Sequence, residues 1–305
     1  MQIPSGQCRQ RLLAEAFEQG IQHFDVARMY GLGAAEGELG KFARGRRNEL
    51  TIATKFGIEP AVTVGRLARL QAPARAVLAR FPALRNAVKR RADVLHQLHR
   101  YDPATARASL EISLRELDTD YVDVFFVHGP ASGEALDMME LGAALEDLRH
   151  AGLVRAWGFA GDPEPCIALS GEASAPTVLQ FRDDILDPAP TQVDPSRQVI
   201  TFGILSGALR PILDHVRSSA RCRSSWTSAV GEDCGDPEVV ASLLLQDALA
   251  RNRSGTVLFS TTRPEHIAMA TRSVDALSRE PDQAPLRAFR ELVLSELTAP
   301  MPVHA

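Results

Sequence analysis

Short apolar runs alternate along this chain with longer stretches in which apolar residues recur every three or four positions. The short runs are "GIQHFDVA" (20–27), "LTIATK" (50–55), "YVDVFFVH" (121–128), "VRAWGFA" (154–160), "TVLQF" (177–181), "QVITFG" (198–203) and "GTVLFS" (255–260). Rich in Val, Ile and Phe and bounded by turn residues, they predict seven strands. The longer stretches predict helices. "DPATARASLEISLREL" offers Asp102 as N-cap and Pro103 as first helical residue, with Leu110, Leu114 and Leu117 on one face. "EALDMMELGAALEDLRHAG" carries Leu141, Leu145 and Leu148 on one stripe and stops at Gly152. The Asp-Pro entry returns at Asp236 and Pro237. Further helices are expected over residues 8–19, from Pro264, and along "QAPLRAFRELVLSEL".

Strand–helix alternation over most of the chain implies a parallel sheet, either a (β/α)8 barrel or a doubly wound sheet. A doubly wound dinucleotide fold wants G-x-G-x-x-G after its first strand. The stretch "GLGAAEG" (31–37) fits only its first two glycines and has Glu36 where the third should stand. A barrel needs one more strand ahead of residues 8–19, and "MQIPSG" is short and polar. The expectation is a gene start further upstream, with an open or otherwise completed barrel as the alternative.

Residues 56–101 interrupt the alternation. Pro60 to Arg100 holds eight arginines and Lys89 against one acid, Asp93, in a helical amphipathic pattern. A solvated basic cap and a lid that attracts an anionic ligand both fit. Nucleic acid fits poorly, because Phe81 is the only Phe, Tyr or Trp between Pro60 and Arg100 to offer for base stacking. The net charge of −4 likewise argues against nucleic-acid or membrane-surface binding. No apolar run approaches a membrane span, and the N-terminus lacks the apolar core of a signal peptide. The four cysteines, Cys8, Cys166, Cys222 and Cys234, lack metal-type spacing and are expected as free thiols in the cytoplasm, with Cys222 and Cys234 in one polar loop.

Candidate chemistry sits at strand ends. Asp25, Lys55 and His128 stand at or near the ends of the first three strands, with Tyr30 in the loop after the first; Gln180 lies near the end of "TVLQF". In a parallel barrel these ends open on one face. A phenol near an ammonium has a lowered pKa, and Asp25 as counter-ion holds a buried Lys55 charged. A neutral His128 can orient a substrate oxygen. The set suits protonation of a carbonyl oxygen while a hydride attacks the carbon. A structural Asp25–Lys55 ion pair, a packing tyrosine and a turn histidine are the plain alternatives.

"GIQHFDVARMYGLGAAEGELG", "IATK", "SLEISLRELDTDYVDVFFVHGP" and "LEDLRHAGLVRAWGFA" together resemble signature segments of the aldo-keto reductase superfamily. The resemblance spans roughly residues 8–300. It implies a single (β/α)8 TIM-type barrel domain over 1–305, with 56–101 as a basic helical insertion. It implies NADP-dependent reduction of an aldehyde or ketone, NAD being possible. Asp25, Tyr30, Lys55 and His128 correspond to the catalytic tetrad, with Tyr30 as general acid. Gln180 corresponds to a nicotinamide contact, Phe202 to the stacking aromatic, and Ser260, Thr261 and Arg263 in "FSTTRPEHI" to the phosphate loop. The family's Ser-Asn pair after the fifth barrel strand is replaced by Ala160 and Gly161, so a catalytically impaired or regulatory cofactor-binding protein is the alternative. A small carbonyl substrate, no nucleic-acid or membrane partner, and a monomer or weak homo-oligomer are expected.

Overall fold

The computed structural model describes residues 6–58, 100–131, 136–172, 178–190, 193–279 and 284–298. Most of the basic insertion, residues 59–99, lies outside them. Two compact units emerge, Met1–Val178 and Leu179–Ala305.

The first unit contains α1 (Gly6–Glu18), β1 (His23–Asp25), α2 (Ala35–Ala43), β2 (Thr51–Phe56), α3 (Pro103–Leu117), β3 (Val122–His128), α4 (Met138–His150), β4 (Val154–Gly161) and α5 (Pro163–Glu172). Strands β1 to β4 pair in sequence order, all parallel. Ile52, Phe125, Phe126, Val127, Trp157 and Phe159 are fully buried. Such near-continuous apolar strands mark a parallel sheet covered on both faces. Helix α3 begins as its sequence dictates, with the Asp102 carboxylate accepting the Thr105 N–H at 2.8 Å. Helices α2 and α3 meet where Gly40 removes a side chain: a Cβ there would stand 2.6 Å from the Leu117 carbonyl oxygen.

The second unit contains β5 (Val178–Arg182, whose first residue belongs to the first unit), β6 (Gln198–Phe202), α6 (Leu209–Val216), α7 (Ala220–Val230), α8 (Pro237–Arg251), β7 (Thr256–Val257), α9 (Pro264–Arg279) and α10 (Ala284–Leu297). Strands β6 and β7 are parallel. The core of this unit gathers Ile212, Val216, Trp226, Leu243, Leu244, Phe289 and Val293. Asp247, fully buried, accepts from Arg251 at 2.8 Å and from Arg290 at 2.7 Å, tying α8 to α10.

All seven expected strands form among the described residues. The stretch 206–236, which includes the polar loop expected at Cys222 and Cys234, is largely helical. It holds α6 and α7, with Ser219 capping α7 at one end and Gly231, in the left-handed region at φ 84°, ending it at the other. None of the four cysteines forms a disulfide among the described residues; Cys222 lies on α7 and Cys234 beyond it.

Candidate active site

The sheet brings the polar strand ends of the first unit into one corner. Asp25 closes β1 and pairs with Ala53; Lys55 on β2 is level with Phe126; His128 closes β3 opposite Ala160. Tyr30 opens a 3-10 turn (Tyr30–Gly33) whose backbone is anchored by its N–H on the Ala27 carbonyl at 2.9 Å.

Lys55 is the centre of this corner. Its side chain is 3% exposed, and its Nζ donates to both oxygens of the Asp25 carboxylate at 2.5 Å and to the Val26 carbonyl at 3.3 Å. The ammonium lies 5.5 Å from the centre of the Tyr30 ring, and the Tyr30 and His128 rings meet edge to face at 6.2 Å. Burial pulls the Lys55 pKa down, and the Asp25 charge opposes that pull. Lys41, by contrast, is a surface cation bonded to Glu38 at 3.1 Å.

Tyr30 is 37% exposed. Its pKa is raised, first by partial burial and then by the Asp25 carboxylate. The lowered value expected from a neighbouring lysine is not found. The ammonium is instead engaged by Asp25 and the Val26 carbonyl, and the phenol remains a firmly protonated donor.

Two further groups complete the corner. Glu36, 4% exposed, accepts the Thr54 hydroxyl at 2.6 Å, one residue from Lys55. Burial raises its pKa, while the Thr54 bond and the Arg28 charge hold it down. Tyr101 places its hydroxyl 2.8 Å from the His128 carbonyl oxygen and 2.9 Å from that of Gly129, fixing the turn that carries His128. It has room to do so because residue 57 is glycine: at φ 108°, a Cβ there would stand 2.1 Å from the Tyr101 ring. Glu36 was visible in the signature stretch as a misplaced third glycine. Tyr101, one of three tyrosines, gave no signal.

Ala160 and Gly161 end β4 beside the same turn. Ala160 is 1% exposed, and a Cβ on Gly161 would stand 3.2 Å from the Gly129 Cα. The backbone of the His128–Gly129 turn therefore occupies the space that a longer side chain at 161 would need.

The remaining sequence candidates lie in the second unit. Gln180 on β5 is 2% exposed, and Phe202 ends β6, half-buried. Ser260 and Arg263 are exposed on the turn into α9. The Thr261 hydroxyl oxygen accepts the Arg263 N–H at 3.0 Å and lies 3.0 Å from His266 Nδ1, which shapes that turn.

Known proteins can be set beside this geometry. The sequence profile described as "Aldo/keto reductase family" matches residues 5–165, more than half the chain. "Aldo-keto reductase yakc [NADP(+)]" of Schizosaccharomyces pombe is 29% identical over 157 residues, 51% of this chain and 37% of that protein. "6-dehydroglucose reductase" of Agrobacterium fabrum is 34% identical over 145 residues, 46% of this chain and 39% of that protein. The matched stretch thus spans well under half the length of these curated relatives. The solved aldo-keto reductase AKR11C1 from Bacillus halodurans, in its holo form, superposes with a TM-score of 0.67 at 21% identity, covering 94% of this chain and 88% of that one. That likeness shows the shared fold, the (β/α)8 barrel type that the resemblance implied, and not the doubly wound sheet that strand–helix alternation had left open. On the extent of the profile match, with its strand-end residues in parallel register, the chain belongs to the Aldo/keto reductase family.

Proposed function

We propose that this protein is an NADP-dependent oxidoreductase that reduces the carbonyl group of a small aldehyde or ketone to an alcohol, with NAD as a possible alternative cofactor. The observation that carries the reading is the cluster of Lys55, Asp25, Tyr30 and His128: an ion pair of 2.5 Å, an ammonium 5.5 Å from a phenol ring, and a histidine ring 6.2 Å from that phenol.

The cofactor, when bound, supplies the hydride. The chain's own residues then handle the oxygen. Tyr30 gives its hydroxyl proton to the carbonyl oxygen as negative charge builds there. A neutral, high-pKa phenol is the form this step requires, because an alkoxide is far more basic than a phenolate. Lys55, kept cationic by Asp25, stabilises the phenolate left behind. The His128 ring hydrogen-bonds the carbonyl oxygen and orients it. The fixed turn under His128, held by Tyr101, preserves that aim.

The donors of the second unit fit a phosphorylated cofactor. The turn 260–263 offers an exposed guanidinium, three hydroxyls and the first N–H groups of a sixteen-residue helix, a set that favours anions. Ser260, Thr261 and Arg263 would hold the phosphates, Gln180 the nicotinamide amide, and Phe202 its ring. In this reading residues 1–305 form one barrel domain with 56–101 inserted, cytoplasmic and monomeric or weakly homo-oligomeric. No helix among the described residues is long and apolar enough to cross a membrane.

The crowding at Gly161 favours a second reading, a cofactor-binding or regulatory protein with impaired turnover. The Ala160–Gly161 pair has no side-chain hydrogen-bonding groups with which to hold a carboxamide. Titration of intrinsic fluorescence with NADPH and NADH addresses both readings: saturable sub-millimolar binding, tighter for NADPH, is expected, and no binding of either would remove both.

A further inference from the structure

A second cluster of reactive side chains lies within the Leu179–Ala305 unit, built by three helices. His215 comes from α6, Cys222 from α7 and Glu296 from α10. One ligand atom of each lies within 4.8 Å of the other two. His215 Nε2 is 2.7 Å from a Glu296 carboxylate oxygen, and Trp226 Nε1–H donates to that same oxygen at 3.0 Å.

We propose that His215, Cys222 and Glu296 form a binding site for a zinc-class divalent cation, with one coordination position left to water. The argument rests on donor type, geometry and access. One imidazole nitrogen, one thiol sulfur and one carboxylate oxygen make a mixed N/S/O set, which suits zinc and excludes magnesium or calcium as the preferred ion. Tetrahedral ligand distances of about 2.0–2.3 Å place ligand atoms about 3.3–3.7 Å apart. The His215–Glu296 contact at 2.7 Å must open slightly to admit an ion, and the thiol, within 4.8 Å of both groups, is near enough to share it.

The side chains of His215 and Glu296 are 30% and 38% exposed, so an ion has a way in and a water has a place. The carboxylate has an outer partner. The Trp226 indole, fully buried and seated edge to face on Phe289 at 6.2 Å, fixes the oxygen it bonds. Hydrogen bonds of this kind orient metal-bound carboxylates. The Cys222 N–H is capped by Ser219 Oγ at 3.1 Å, which seats the thiol in the first turn of α7. There the helix end favours the thiolate. The thiol proton leaves to solvent as the sulfur binds the cation.

A simple His–Glu ion pair explains two of these residues and the tryptophan bond. It leaves Cys222 as a side chain that only packs against the core of this unit. Cys222 therefore separates the two accounts.

The experiment is a cobalt(II) titration of the full chain after chelator treatment. One equivalent of cobalt is expected to produce a near-ultraviolet thiolate-to-cobalt charge-transfer band, which zinc then abolishes. Cys222→Ser should lose the band while keeping its far-ultraviolet circular dichroism. Cys8→Ser, which alters the exposed thiol elsewhere, should retain it. His215→Gln, at a part-exposed position, should weaken zinc binding at least about tenfold, and Trp226→Phe by about the same factor. Absence of the band in the unmodified protein, its persistence in Cys222→Ser, or its loss in Cys8→Ser would overturn the assignment.

Discussion

The hydroxyl of Tyr101 lies 2.8 Å from the carbonyl oxygen of His128, joining the last residue of the basic insertion to the end of β3. The bond holds the backbone of a candidate catalytic residue from outside the tetrad. Tyr101→Phe should destabilise the protein by about 1–3 kcal/mol, since two part-buried carbonyls lose their shared donor. It should also lower kcat more than it raises KM, because His128 loses its aim. Urea denaturation and steady-state kinetics read the two effects separately.

Gly57→Ala should cost more than Tyr101→Phe. The glycine sits at φ 108°, and a methyl group there would stand 2.1 Å from the Tyr101 ring. Backbone strain and ring displacement add. If the alanine variant matches the wild-type midpoint in urea, the account of how the His128 turn is held is wrong.

The Asp25–Lys55 pair is nearly dry, with side chains 13% and 3% exposed. Asp25→Asn leaves a buried ammonium without its counter-ion and should destabilise by about 3–5 kcal/mol. Asp25→Asn combined with Lys55→Met should recover much of that loss while activity stays abolished. A double-mutant cycle by thermal and urea unfolding tests this, and simple additivity of the two single variants would count against it.

The register of these groups was legible in the sequence, and the reason is physical. Runs such as "YVDVFFVH" alternate nothing because both faces of a parallel strand are buried, so a polar terminal residue stands out. Helices α6 and α7 were not legible. "ARCRSSWTSAV" is polar around most of its circumference, and only Trp226 and Val230, one turn apart, are buried. Its caps, Ser219 and Gly231, were the sole local signals. Tyr101 and Gly57 were illegible for a different reason. Their contact spans the whole insertion and depends on a left-handed backbone angle that no hydrophobic pattern encodes.

Glu36 sets a pH dependence of stability. Its pKa is raised in the folded protein, so the folded state binds its proton more tightly than the unfolded state does. The associated stabilisation is fully present below the ordinary glutamate value of about 4.3 and is lost as pH rises through the raised folded value. Glu36→Gln keeps a partner for Thr54 without the charge. The stability difference between the variant and wild type should therefore shift in the variant's favour on going from pH 4 to pH 8, measured by urea unfolding at each pH.

Tyr30 sets the pH dependence of the chemistry. Burial and the Asp25 charge hold its phenol protonated beyond the ordinary tyrosine value of about 10. Reduction, which uses the phenol, should be flat in pH from 6 to 9. Alcohol oxidation, which uses the phenolate, should climb across that range without a plateau. Stopped-flow rates in both directions check the asymmetry.

The most direct measurement is single-turnover oxidation of NADPH by wild type and Tyr30→Phe, with a panel of small aldehydes and ketones. Wild type should consume one equivalent per chain with at least one substrate. Tyr30→Phe should bind NADPH with unchanged affinity and react about 10²–10⁴-fold more slowly, the range for loss of a positioned general acid. A Tyr30→Phe protein that reduces the same carbonyl at the wild-type rate would contradict the account.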